Sequence, residues 1–351
     1  MLPYNISFIF IFLMTFLIEK VPITLRNLSY LILFIFLLLF VGLRHEVGGD
    51  WFSYIWYIQD LKTYPEKIFT FRSDWGFNAL LYLLFNVDYN IYIINSICAF
   101  LFISSIFFFA FHQNRPIIVL FIASPYIINV IGMGYTRQSV GYAFLIFSIF
   151  ALKNNKNLYF IFLIVLGSLF HKSLILFLIL YFVNYSFNFR STIIIATLSI
   201  IVLVLFIYKL DTVQFYFYHY LGEGKHLSSK GTIFRYIINL IPALLILFFG
   251  TNFIKNKIEK RVILLFIIFT FAGLFFYKYA PTAFDRMGLY LTLIQLYFYS
   301  NLDLIVKNNL LRRFIYLFMY FFYFLINYVW LNFSTYKDEW LPYNILFYQF
   351  Y

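Results

Sequence analysis

Charge is scarce in this sequence. Only 11% of its 351 residues are Asp, Glu, Lys or Arg, less than half of the roughly one quarter usual in soluble domains. There is a single cysteine, Cys98, so a disulfide scaffold is excluded, and the composition also rules out a disordered chain and a coiled coil. Long basic tracts are missing, so the net charge of +12 does not read as a nucleic-acid surface, and no nucleic-acid partner is expected. No HExxH motif occurs, and His219 and His226 have no cysteine partners, so neither a metal nor a cofactor is expected. The GEGK at 222–225 lacks the Gly-Lys-Ser/Thr ending of a phosphate-binding loop. Residues 1–18 lack a basic n-region and a small-residue cleavage site, and read as a retained first span. No internal repeat and no soluble domain are visible.

What is present is apolar: 64% hydrophobic and 25% aromatic residues, with a mean hydropathy of +0.86. The expected fold class is an all-α polytopic integral membrane protein, a single transmembrane domain over 1–351. A helix needs roughly 20 apolar residues to cross the hydrocarbon core. Apolar runs place twelve spans at 3–18, 28–43, 90–111, 116–134, 138–152, 157–170, 173–184, 192–208, 234–250, 262–279, 287–303 and 313–333. The run 75–85 is too short to cross and reads as an interfacial or re-entrant helix within an outer loop, 44–88. A second outer loop, 209–233, reads as a lid, with Lys225, Lys230 and Arg235 contributing positive field.

Lys and Arg in short loops set the orientation. With the N-terminus outside, the inner loops hold thirteen cations against three acids, a balance of +10, and leave +2 for the outer side. The inner cations suit acidic lipid head groups.

Four polar clusters then fall on the outer face. GLRHEVGGDWFSYIWY (42–57) contains Arg44, Asp50 and Trp51. Its residues fit an aromatic belt with boundary charges. They equally fit a surface site in which Arg meets phosphate, a carboxylate acts as base and aromatic faces stack on sugars. GMGYTRQSVGYA (132–143) carries Arg137 and Gln138 between apolar runs. An arginine there either snorkels to the interface or faces a cavity or anion. LFHKSLI (169–175) carries His171, a hydrogen-bonding residue or a proton carrier near neutral pH. APTAFDRMGLY (280–290) carries Asp285 and Arg286, explained either by an ion pair or by Arg286 reaching toward an anion. Their common side is the strongest sign of an outward-facing site.

In order and spacing, GLRHEVGGDW (42–51), YTRQSVGYAF (135–144) and LFHKSLILF (169–177) resemble the EpsG-like branch of bacterial polysaccharide polymerases, and the composition resembles O-antigen polymerases of the Wzy type. Gly49-Asp50-Trp51 stands where the family often has Thr-Asp-Tyr. The resemblance implies a metal-independent membrane glycosyltransferase of glycosyltransferase-C-like architecture, active at the outer, periplasmic face of the bacterial inner membrane. Donor and acceptor would be undecaprenyl-diphosphate-linked glycans, with membrane lipids and a chain-length regulator as further partners. It implies His171 or Asp50 as base, Arg44, Arg137 and Arg286 on the diphosphate, and Gln138 and Trp51 in substrate binding. An O-antigen ligase and, from another class, a lipid-linked oligosaccharide flippase are the alternatives. A ligase fits less well because the late outer segments are short. A flippase fits less well because the halves do not match.

Overall fold

A computed structural model describes residues 1–66, 74–88, 90–184, 231–278 and 281–346. The described chain is helical apart from turns and one two-residue strand pair. In order come α1 (Leu2–Leu17), α2 (Ile23–Gly42), β1 (Arg44–His45), α3 (Trp51–Thr63), α4 (Trp75–Leu84) and α5 (Asn90–Phe111). Then follow α6 (Pro116–Ala123), which runs on as a π-helix over Ser124–Gly132, α7 (Thr136–Lys153), α8 (Asn157–Ser168) and a 3₁₀ stretch over Lys172–Asn184. Later helices are Thr232–Phe249, Lys257–Phe276, Pro281–Tyr290, Leu293–Ser300, Leu302–Ile305 and Asn309–Phe333, and a second strand, β2, is Asn344–Ile345.

Each expected span is met by helix except 192–208, which lies outside the described residues. The protein is thus an all-α polytopic membrane protein. Four helices, Ile23–Gly42, Asn90–Phe111, Thr232–Phe249 and Asn309–Phe333, are individually long and apolar enough to cross. The 20 residues of α2 extend about 30 Å, the thickness of a hydrocarbon core. The run expected at 287–303 is broken into separate helices after Tyr290 and Ser300. The helix expected from 262 starts at Lys257, because Asn256 caps it by accepting from the backbone N–H groups of Ile258 and Glu259. Of the loop 209–233, residues 209–230 lie outside the described residues, and so do Lys225 and Lys230.

The contacts divide the chain into two compact units. The first comprises residues 1–148, 162–175 and 295–351. Here α2 and α5 run antiparallel: Tyr30 meets Phe111 and Phe34 meets Phe107 edge-on, at 5.1 and 5.3 Å between ring centroids. Near the other end of the pair, Gly42 leaves just enough room for Ser96, whose Oγ would lie 2.9 Å from a Cβ there. At the Phe111 end, Arg115 pairs with Asp303 and, at 3.8 Å, with Glu19, while Arg312 reaches Asp303 at 3.4 Å. At the Gly42 end lie Arg44, Asp74 and Arg137. Glu19, Arg115, Asp303 and Arg312, assigned to the inner side, thus lie at one end of this antiparallel helix pair, and Arg44, Asp74 and Arg137, assigned to the outer side, at the other.

The second unit comprises residues 149–161 and 176–294. Its helices Thr232–Phe249, Lys257–Phe276 and Pro281–Tyr290 pack closely, since Gly273 and Gly288 both lie against the Tyr236 ring. Asp285 is buried and pairs with Arg235, with Thr232 Oγ1 donating to it at 3.2 Å. The partner of Asp285 is thus Arg235 rather than its sequence neighbour Arg286. Arg235 itself belongs to a helix and is buried, which corrects the expectation that it contributes field from a lid: its charge is spent on Asp285.

Candidate functional site at the Gly42 end of the first unit

The segment after α2 makes a tight path that ordinary residues resist. Glu46 and Gly48 both have positive φ, 52° and 99°. A Cβ on Gly48 would also lie 2.2 Å from the Met133 carbonyl oxygen, so glycine is required there on two counts. The path turns Arg44 inward, where it is 1% exposed. Its Nε donates to the Val47 carbonyl at 3.1 Å and Nη1 to the Val41 carbonyl at 2.7 Å. Its Nη2 donates to Asn95 Oδ1 at 3.0 Å and to Thr136 Oγ1 at 2.8 Å. One guanidinium therefore ties the end of α2, the loop, α5 and the start of α7. Burial pulls its pKa down to about 10, which leaves it cationic at neutral pH. With protein acceptors on all three nitrogens, Arg44 is placed as a structural tie.

Arg137, on the adjoining first turn of α7, is treated differently. Its side chain is 31% exposed, and Nη1 donates to Asp74 Oδ2 at 2.8 Å. The guanidinium carbon lies 5.9 Å from the Tyr54 ring centroid and 6.0 Å from that of Phe77, cation–π distances that hold the charge in place while leaving part of it open. Asp74 is buried and also accepts from the Lys172 backbone N–H. Burial raises its carboxyl above the ordinary carboxylate range, against the opposing pull of Arg137 and Lys172. Leu169 in turn accepts from the Gly76 N–H at 2.8 Å. The segment 169–172, with the half-buried His171, is thereby held against the start of α4.

Asp50 joins this corner through Tyr54. The Tyr54 hydroxyl donates to Asp50 Oδ2 at 2.6 Å, one helical turn along. Burial, then the Asp50 charge, push the phenol well above its usual range, so it stays a donor. Carboxylate, phenol and guanidinium thus line up as Asp50, Tyr54 and Arg137. Trp51, expected to hold sugar, is 2% exposed and packs on His45 and Tyr92 at 5.7 and 5.6 Å. The exposed rings of α3 are instead Phe52, Trp56 and Tyr57, with Trp56 70% exposed. Gln138 is buried. Arg286 is half-buried in the second unit, on the helix with Asp285.

Three contributors were not picked out from the sequence: Asp74, Asn95 and the segment 334–346. Asp74 and Asn95 are single polar residues in or beside apolar helices, and only their partners mark them. The segment 334–346 returns from the last helix and seals the corner. β2 pairs antiparallel with β1, Arg44 opposite Ile345 and His45 opposite Asn344. The Gly48 N–H donates to the Glu339 carbonyl at 2.7 Å, and the Tyr343 hydroxyl donates to the Phe40 carbonyl at 2.8 Å.

No curated protein and no solved structure matches the chain. The family model that does match describes the EpsG family and covers residues 27–345, from within α2 through β2. It takes in every element of this corner, and the chain belongs to the EpsG family, a membrane protein of the polysaccharide-polymerase type.

Proposed function

We propose that the protein joins undecaprenyl-diphosphate-linked oligosaccharide repeat units by glycosyl transfer, with the Gly42 end of the first unit facing the outer side of the bacterial inner membrane. The observation that carries the reading is the Asp50–Tyr54–Arg137 line: a carboxylate and a partly open guanidinium flank one stretch of surface, bridged by a phenol. In the reaction an acceptor sugar hydroxyl attacks the anomeric carbon of the donor. The bond from that carbon to the phosphate oxygen breaks, and its electron pair leaves with undecaprenyl diphosphate.

Arg137 meets the charge that grows on the leaving diphosphate, a donor already aimed before the bond breaks. Lys172, beside Asp74, adds positive charge to the same side. Asp50 takes the proton from the attacking hydroxyl, with His171 the second candidate for that task. Trp56 and Tyr57 offer exposed aromatic faces to sugar rings. Arg44 acts indirectly, by fixing the loop that carries Asp50 to the helix that carries Arg137.

The reading is tested by deleting the gene and resolving the host's surface polysaccharide on a gel. Loss of a polymerase leaves core bearing a single repeat unit. Bare core with lipid-linked polymer would indicate a ligase, and absence of surface repeat units would indicate a flippase. Either outcome would replace the reading.

A further inference from the structure

Asp50 and Arg137 belong to elements far apart in the chain, and two consecutive residues near its end reach both. The Glu339 carbonyl accepts from the Gly48 N–H at 2.7 Å, two residues before Asp50. The Gly48 carbonyl in turn accepts from the Trp51 N–H at 3.0 Å, so the turn that presents Asp50 is gripped from both sides of one residue. Gly49 leaves the room that the Glu339 carboxylate occupies, since a Cβ there would overlap it.

Trp340, the next residue, takes the other half. Its ring fills the space beside Gly134, where a Cβ would overlap the indole, three residues before Arg137. The indole N–H donates at 2.9 Å to the carbonyl of Asn129, in the π-helix that leads into α7. The Trp340 carbonyl accepts from the Tyr4 hydroxyl at 3.0 Å, and the Trp330 ring meets the indole edge-on at 5.3 Å between centroids. Trp340 is buried and held on several sides at once. The two gripped segments also touch each other, because a Cβ on Gly48 would lie 3.1 Å from the Gly134 Cα. The family match reaches residue 345 and so includes this clasp.

We propose that Trp340 is a positioning residue for glycosyl transfer: seated against Gly134 and joined through Glu339 to Gly48, it sets the separation of Asp50 and Arg137. The inference rests on those two residues serving the attacking hydroxyl and the leaving diphosphate. Arg44 ties the same two elements through side-chain bonds to Val47 and Thr136. Trp340 ties them again, through contacts that Arg44 does not share. Base and guanidinium act at the two ends of one bond exchange, and a misplacement of about 1 Å costs on the order of a hundredfold in rate. Binding of the lipid-linked sugar suffers less, because charge grows on the leaving oxygen only as the bond breaks.

The test uses the full chain in proteoliposomes, with lipid-linked repeat unit extracted from a deletion host as substrate and initial rates divided by the amount of folded protein. Trp340→Ala empties the seat and is expected to lower kcat by about tenfold to a hundredfold, with KM for the repeat unit unchanged. Trp340→Phe keeps a ring against Gly134 and should recover most of kcat. Trp340→Leu is read in the same way where Trp340→Ala does not accumulate. Asn256→Ala, which removes a helix cap in the second unit, controls for lost stability and should keep the parent kcat per folded molecule. A parent-like kcat in Trp340→Ala would overturn the proposal. So would a loss confined to KM, a loss that Trp340→Phe does not recover, or an equal loss in Asn256→Ala. Asp50→Asn and Arg137→Lys separate this inference from the reading beneath it. If they are inactive while Trp340→Ala matches the parent, the site stands and the role of Trp340 falls. If they turn over like the parent, the site assignment itself falls.

Discussion

Arg44 and Arg137 lie at the same end of the same unit, the first bonded to Thr136 of α7 and the second being the next residue of that helix, yet they are treated in opposite ways. Arg44 bonds to Thr136 and is 1% exposed; Arg137 follows Thr136 and has a side chain 31% exposed. The first donates to four oxygens, none of them a carboxylate. The second shares one carboxylate with a backbone N–H and is flanked by aromatic faces. A buried cation whose nitrogens are all engaged organises chain; a half-open one with a partly satisfied partner is left to meet something else. On the proposed function, the difference separates architecture from chemistry within a few residues.

The largest effect expected on that contrast comes from Arg44. Arg44→Ala strands four buried acceptors and is expected to cost on the order of 3–5 kcal/mol, seen as lost yield and early thermal unfolding in detergent. Arg44→Lys should do nearly as badly, because one ammonium cannot span the planar fork. A lysine variant as stable as the parent would remove Arg44 from the architectural side.

Gly134→Ala comes next. Its new methyl meets the Trp340 ring, and overpacking of this kind costs roughly 1–3 kcal/mol. Trp340→Phe should therefore cost less in the Gly134→Ala background than in the parent, a coupling that a double-mutant cycle reads directly. Additive costs would mean that Trp340 is not seated against Gly134.

The smallest expected change in stability is that of Tyr54→Phe, which removes the bond to Asp50 and costs about 1 kcal/mol. Polymer output is nevertheless expected to fall several-fold, because Asp50 loses its tie toward Arg137. Unchanged output would detach Asp50 from the Arg137 corner.

Much of this arrangement is legible in the sequence, because the bilayer leaves few options. Runs of apolar residues become helices when no water is present to satisfy the backbone, and scarce charges are pushed to helix ends. That is why Arg44, Asp50, Arg137 and His171 stood out, and why loop charges sorted the two ends of α2 and α5. The roles within the cluster were less legible. Two arginines at two helix boundaries read alike until Asn95 and Thr136 are seen to close one of them and Asp74 to flank the other. Five aromatic residues at 51–57 also read alike, but helical periodicity turns Trp51 and Tyr54 inward and Phe52, Trp56 and Tyr57 outward. The chain end was hardest. Glu339 and Trp340 lie in a polar tail with no motif, and their meaning comes from Gly48, Gly49 and Gly134, roughly 200 to 290 residues earlier.

The central claim is that the open arginine does the chemistry. The most direct test is Arg137→Lys, expressed in a host lacking the native gene, with the polymer ladder on a gel normalised to the amount of folded protein in the membrane. A lysine keeps the charge and a bond to Asp74 but loses the other donors of the planar fork. The account predicts parent-like protein levels with the ladder reduced by about a hundredfold or more, the scale for loss of a preorganised donor to developing charge. A parent-like ladder from Arg137→Lys would contradict it.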